Sequence, residues 1–572
     1  MQKRWVEREV ENLAAIDELQ GSLKIDRTLA GLLVSRGVTS YEEARDFFRP
    51  ELEKLHNPFL MQDMDTAISR IHQAIQSGEK ILIYGDYDVD GTTAVALTFS
   101  FFRKQTDAIE FYIPDRYVEG YGISTQGIDY AQENGFSLII ALDCGIKSID
   151  KIAYANEKNI DFIICDHHLP GEELPLAIAV LDPKRSDCNY PYKELSGCGI
   201  GFKLIQAYAQ TYHIPFDQVI CYLDMVAVSI ASDIVPISGE NRILANFGLI
   251  KLNTEPCKGL AALIDLSGKK DDLTITDVVF TIGPRINAAG RIDDAKHAVN
   301  LLIADSEILA KEKSQIINLK NTERKEHDLN ITEQALAMID ADPLLINRKT
   351  TVLYNPQWHK GVIGIVASRL TEKYYRPTIV MTSSNGYAAG SARSVIGFDL
   401  YEALSACADL LQQFGGHKYA AGLTMKTEDI PAFQQRFEEI VSASIPDELL
   451  IPSINIDDEI DLKQIDARFF RILKQFEPFG PQNMAPVFLS RNVYTYGSAA
   501  IVGEKHLKLC VHQDNLTYYN CIGFGLAEHL SLINTGTPFD ICYTIEENTW
   551  KEKRSIQLNI KGIRPTLPSK KP

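Results

Sequence analysis

The stretch ILIYGDYDVDGTT, residues 81–93, carries an apolar run directly into Asp86, Asp88 and Asp90, then into Gly91 and a helix start at Thr92–Thr93. A short apolar run closed by a turn reads as a strand buried on both faces. Carboxylates at the carboxyl end of such a strand lie in the crevice where open α/β sheets place ligands. Crowding like charges there is unfavourable unless cations neutralise them. Other readings exist. An EF-hand loop matches the D-x-D-x-D-G spacing, but its twelfth position is Leu97 where a bidentate Glu is needed. An aspartyl-phosphate phosphatase would use Asp88-Val-Asp-Gly-Thr92 and leave Asp86 idle; a solvated acidic turn would use none of them.

Outward from this point the pattern repeats. Apolar runs IEFYIP (109–114), SLIIALD (137–143), DFIICD (161–166) and AIAVLD (177–182) alternate with segments of helical length. That alternation predicts a parallel sheet covered by helices, completed by a helical region over 197–232. Two of the later strands also end in acid: at Asp143, and at Asp166 followed by His167 and His168. Asp233 in VSIASDIVP is an acidic residue in an apolar helical run, or else a surface Asp ahead of Pro236. Oxygen ligands with one or two imidazoles and no forced thiolate favour Mn²⁺ or Mg²⁺ over zinc.

The flanks set the domain plan. Residues 1–65 are charged and predict a helical cap; 66–303 form the first α/β lobe. KEKSQIINLKNTERKEHDLNITEQAL, within 304–345, lacks Gly and Pro and predicts a connecting helix of roughly 50 Å at ~1.5 Å per residue. TTVLYN, RPTIVMTS and AAGSAR place a second α/β lobe at 346–445, and short β-type runs over 446–565 predict an all-β barrel. The basic tail within 566–572 is expected to be disordered. The fold class is therefore α/β, two lobes joined by a long helix, with a C-terminal barrel.

At 572 residues, 45% hydrophobic and 23% charged, the chain can bury several cores. No window reaches a membrane span, and MQKRWVEREVENLAAIDELQ lacks the apolar core of a signal peptide, so a cytoplasmic protein is expected. The ten cysteines are scattered with no C-x-x-C pair, against a disulfide framework or a zinc ribbon. A formal net charge of −18 argues against nucleic acid unless a local basic groove answers it.

GDYDVDG, LDCG, DHH and SIASDIVP, in this order, resemble the successive motifs of the DHH phosphoesterases. The resemblance implies that Asp88, Asp90, Asp143, His167 and Asp233 hold two metal ions, with Asp86 as a ligand or close beside them. His168 would contact the scissile phosphate, Asp166 would orient the imidazoles, and metal-activated water would be the nucleophile. WHKGVIGIVASRL (358–370), AAGSARSVIGFDL (388–400) and FGGHKYAAGL (414–423) resemble the DHHA1 substrate-binding domain. There Ser391, Arg393 and the Gly415–Gly416–His417 backbone suit a terminal phosphate. PDRYVEGYG with Arg116, GPRINAAGRI with Arg285, Asn287 and Arg291, and FEPFGPQNMAPVF at the start of an OB barrel resemble the family's single-strand-specific DNA exonucleases. The likeness runs from about residue 28 to 565. It implies 5′-to-3′ release of mononucleotides from single-stranded DNA in repair and recombination. A single-strand-binding protein and a helicase are sensible partners. Tyr494, Tyr496, Tyr518 and Tyr519 are candidate stacking platforms in the barrel. A phosphodiesterase of short oligonucleotides would share the metal site, and a scaffold with a decayed core would have no reason to keep it.

Overall fold

The computed structural model describes residues 3–9, 11–550 and 553–566; the basic tail falls outside them. A first strand, β1 (Arg4–Glu7), precedes the sheet of the first lobe. That sheet is formed by β2 (Lys80–Gly85), β3 (Ile109–Tyr112), β4 (Phe136–Leu142), β5 (Asp161–Cys165) and β6 (Ala179–Leu181), in the order β3-β2-β4-β5-β6 and all parallel. The register pairs Gly85 with Leu142 and Leu142 with Cys165. Asp86, Asp143 and Asp166, each the next residue, therefore leave three adjacent strands at one level.

Helices seal the sheet above that row. Val89–Phe102 is buried on nearly every side, as its apolar composition all round requires, and it packs against Gly197–Thr211 and Leu223–Ser232. Gly91 is needed where this helix starts, because a Cβ there would lie 2.5 Å from the Asp86 carbonyl oxygen. Gly91→Ala is expected to destabilise this lobe by about 1–3 kcal/mol, the usual cost of overpacking a tight core, read as a lower urea midpoint at unchanged slope.

The linker helix Glu307–Ala341 buries Ala310 and Ile317 in the first lobe's core, and Ile331, Ala335 and Ile339 in the second's. The second sheet comprises β7 (Thr351–Tyr354), β8 (Thr378–Ser384), β9 (Tyr387–Arg393), β10 (Gln413–His417) and β11 (Ala420–Met425), in the order β10-β11-β9-β8-β7. The helix Ile430–Ser444 covers one face. Ile363–Tyr374 and the linker helix cover the other face over β7 and β8. Cross-strand register aligns Ser391 with Gly422 and Gly415, and Arg393 with Ala420 and His417. Directly opposed residues share a face, so these side chains stand on one shelf. Its glycine floor at 415 and 422 is open where a Cβ would be.

After β12 (Ser453–Ile456), the barrel strands are β13 (Asp458–Glu459), β14 (Phe488–Thr495), β15 (Ala500–Val502), β16 (His506–His512), β17 (Tyr518–Gly523), β18 (Phe539–Trp550) and β19 (Lys553–Pro565). A β14–β16 pairing closes the sheet that runs from β13 to β15, while β12 pairs in parallel with β1. The N-terminal segment is thus not wholly helical. Its helices Leu13–Leu23 and Arg27–Val34 bury Ile16, Leu19, Leu29 and Leu33 in the barrel's core, and Trp5 lies 4.2 Å beneath the Arg564 guanidinium. Alternation over so short a run as RWVE is masked by the charged helices that follow. No helix among the described residues is long and apolar enough to cross a membrane.

Candidate metal centre

The acidic row becomes a pocket because helix ends close over it. The Asp90 carboxylate accepts the N–H groups of Gly197 (2.6 Å) and Cys198 (2.7 Å) at the start of Gly197–Thr211, and the Ser229 hydroxyl at 2.6 Å. Gly197 also leaves room for Asp143, since a Cβ there would lie 2.8 Å from Asp143 Oδ1. Asp143 adopts a left-handed φ of 58°, an unusual backbone for a residue other than glycine. Asp88 caps Val89–Phe102 by accepting the Gly91 N–H at 3.0 Å. Asp233 ends Leu223–Ser232.

These groups converge on one imidazole. His167 Nε2 lies 3.2 Å from Asp143 Oδ1, 3.6 Å from Asp233 Oδ2 and 3.7 Å from Asp90 Oδ2. Two sets have metal-ligand spacing: Asp90, His167 and Asp233, and Asp143, His167 and His168. Both oxygens of Asp86, Oδ1 of Asp143, Oδ2 of Asp233 and both ring nitrogens of His167 are buried without a hydrogen-bond partner. Burial, reinforced by neighbouring carboxylates, raises Asp86, Asp88 and Asp143 above the usual carboxylate range and pushes Asp233 up to about 8. Burial also lowers His167. Unpartnered buried oxygens and a deprotonated imidazole are the donor set of a hard divalent cation, so the residues fit Mn²⁺ or Mg²⁺.

Asp166 stands apart. Its carboxylate accepts the N–H of Ile146, His167 and His168 and lies 2.7 Å from His168 Nδ1. Burial alone would raise it, but His168 and the Ile146 N–H hold it near 2, while Asp166 overrides burial to lift His168 to about 9. His168 Nε2 meets the Tyr121 hydroxyl at 3.1 Å.

Across the cleft, Arg291 is lowered to about 10 by burial and then by Arg116, Arg393 and Arg324; burial and Arg116 lower Arg393 likewise. Arg393 also donates to Ser391 Oγ at 3.0 Å. Arg116 lies 4.8 Å over the Tyr87 ring. Asn287 and Arg291 share a face of the helix Gly283–Ile292 and line one cavity. Arg285 does not join them. Two residues from Asn287 is about 200° around a helix, and its guanidinium donates to the carbonyls of Thr281 (2.5 Å) and Leu266 (3.4 Å) and to Asn318 (3.3 Å). Gly415, Gly416 and His417 lie exposed on the edge strand of the shelf. In the barrel, Tyr494, Tyr496 and Tyr518 are exposed and cluster around His512. Tyr519 instead packs against the core with its hydroxyl on the Ile465 carbonyl.

Three family descriptions match successive parts of the chain: DHH family, N-terminal domain (80–230), DHHA1 domain (347–443) and RecJ OB domain (456–562). The single-stranded-DNA-specific exonuclease RecJ of Bacillus subtilis is 38% identical over 550 residues, 96% of this chain and 69% of that protein. The Escherichia coli RecJ is 31% identical over 559 residues, 94% of this chain and 96% of its own length. The chain belongs to the RecJ family of single-stranded-DNA-specific exonucleases. The RecJ of Thermus thermophilus in complex with Mn²⁺ superposes with a TM-score of 0.84 at 26% identity, covering 99% of this chain and 80% of that one. That RecJ has also been solved in complex with Mg²⁺.

Several groups around this RecJ site escaped the sequence reading. Ser229 and Tyr121 touch Asp90 and His168 from within the SIASDIVP and PDRYVEGYG segments, where neither was singled out, and Arg324 comes from the charged linker helix. Asp166→Asn is expected to lower kcat by about 10–100-fold, the usual cost of losing the group that orients a metal-site imidazole. In the metal-free protein the same change should let His168 fall from about 9 toward its ordinary 6.5, checked by NMR titration.

Proposed function

We propose that this protein removes mononucleotides from the 5′ end of single-stranded DNA, in the cytoplasm, using two Mn²⁺ or Mg²⁺ ions, in DNA repair and recombination. The observation that carries this reading is the placement of the carboxylate–imidazole cluster beside the buried Arg291 and the three cations that face it, Arg116, Arg324 and Arg393. That local excess of positive charge answers the overall −18. In this reading residues 66–303 hydrolyse, 304–345 connect, 346–445 hold the strand's end and 446–565 hold its length.

Asp86, Asp88, Asp90, Asp143, His167 and Asp233 would hold the ions. When bound, they supply an activated water and offset the negative charge that builds on the attacked phosphate. Arg393 with Ser391 offers the 5′ phosphate a planar fork and a hydroxyl, and Arg116 flanks it. Gly415, Gly416 and His417 border the same shelf, while Arg285 holds its helix in place. His168, kept protonated by Asp166, presents a cation to the scissile phosphate. The exposed tyrosines Tyr494, Tyr496 and Tyr518 provide stacking surfaces for unpaired bases. A single-strand-binding protein and a helicase are the partners this activity would require, one to present the strand and one to expose it.

The test offers duplex, single strand and trinucleotide, each labelled at the 5′ or the 3′ end. The reading expects mononucleotides from the single strand's 5′ end and none from blunt duplex. Release from the 3′ end, or cleavage of the trinucleotide alone, contradicts it.

A further inference from the structure

A cavity of about 180 Å³ opens beside the metal centre, lined by Ser232, Asn287, Arg291 and Arg324 together with apolar groups. Ser232 immediately precedes Asp233, so the cavity adjoins the metal cluster. Arg324 reaches it from the linker helix with only 11% of its side chain exposed. Among the described residues its Nε has no acceptor, and its one hydrogen bond goes to Asn321 at 2.9 Å. The nearest carboxylate, Asp328, is 4.0 Å away and already held by both arms of Arg369 at 2.8 and 2.7 Å. Ser232 Oγ is likewise buried without a partner.

A buried cation left with a share of an occupied carboxylate is costly, and so is an unpaired hydroxyl. Both residues line the same cavity, and Arg291 adds a further positive charge. Water would satisfy the hydroxyl and leave the excess charge. A phosphate-sized anion satisfies both, accepting from guanidinium and hydroxyl together.

We propose that Arg324, Ser232 and Asn287 form a second phosphate subsite that takes an internucleotide phosphodiester of the strand, on the 3′ side of the scissile bond. This rests on the single-strand exonuclease reading. Because Asp328 links Arg324's surroundings to Arg369 of the second lobe, a strand seated there is gripped by the linker helix as well as by the two lobes.

The test replaces single linkages of a DNA strand by uncharged methylphosphonate, one position at a time beyond the first bond. It compares wild type with Arg324→Ala in first-nucleotide release at subsaturating strand. With wild type, one internal position should lower kcat/KM by about 10-fold, the loss of a charge-assisted contact; with Arg324→Ala the same substitution should cost nothing further. The log–log salt dependence of binding should flatten by about 0.7, one single-strand phosphate contact. If Arg324→Ala does not fold, Ser232→Ala serves, and is expected to show the same coupling more weakly. Independent, multiplying effects at every position would overturn the subsite while leaving the exonuclease reading intact. A wild type that neither binds nor degrades the unmodified strand would overturn both.

Discussion

Asp143→Asn is expected to lower nucleotide release by about 10³-fold or more while making the metal-free protein more stable at neutral pH. The two effects have one cause. Asp143 is buried with Oδ1 unpartnered, 3.2 Å from His167, and burial and the neighbouring carboxylates raise it well above its ordinary range. A group raised in the folded state folds preferentially with its proton on, so its ionisation at neutral pH opposes folding. An amide removes that opposition, a gain on the order of 1 kcal/mol or more. The same amide binds a divalent cation far less well than a carboxylate does. Several kcal/mol of lost transition-state stabilisation, at ~1.4 kcal/mol per tenfold, gives the predicted loss. Thermal unfolding in EDTA and single-turnover release in Mn²⁺ check the two halves. A variant both inactive and less stable without metal would mean that Asp143 is a structural residue.

Arg393→Ala is expected to cost about 10²-fold in kcat/KM on strands with a 5′ phosphate and much less on strands with a 5′ hydroxyl. The guanidinium is held beside Ser391 on a shelf whose neighbouring strands have glycine at 415 and 422. It has no carboxylate partner among the described residues. Truncating a buried charged hydrogen-bonding partner typically costs ~2–5 kcal/mol. Arg393→Lys should recover only part, because an ammonium lacks the planar fork. Equal losses on both kinds of end would place Arg393 elsewhere along the strand. The comparison is made with both substrates in one reaction, so that protein concentration cancels.

The acidic row was legible because Asp86, Asp143 and Asp166 each end an apolar run, and a parallel sheet aligns run ends by its register. Asp86, Asp143 and Asp166 could therefore be brought together from the order of strands alone. Among the arginines, Arg393 was marked by its glycine and serine neighbours, while Arg116, Arg285 and Arg291 were named only through the family resemblance. Arg285 lies near Arg291 in sequence but on another face of the same helix, and its hydrogen bonds go to backbone carbonyls instead of the cleft. Arg324 was hidden for the opposite reason. A charged residue in a long, charged helix ordinarily faces solvent, and only the second lobe's approach buries it. Tyr519 illustrates the period of a strand: adjacent to exposed Tyr518, it must point to the barrel interior.

The most direct test counts bound Mn²⁺ by electron paramagnetic resonance in the same samples from which 5′-labelled nucleotide release is measured. The account predicts two ions per chain in the wild type, nucleotide release that rises with their occupancy and stops in EDTA, and reduced occupancy in Asp143→Asn. Release that persists after the ions are stripped, or Mn²⁺ binding untouched by Asp143→Asn, would contradict it.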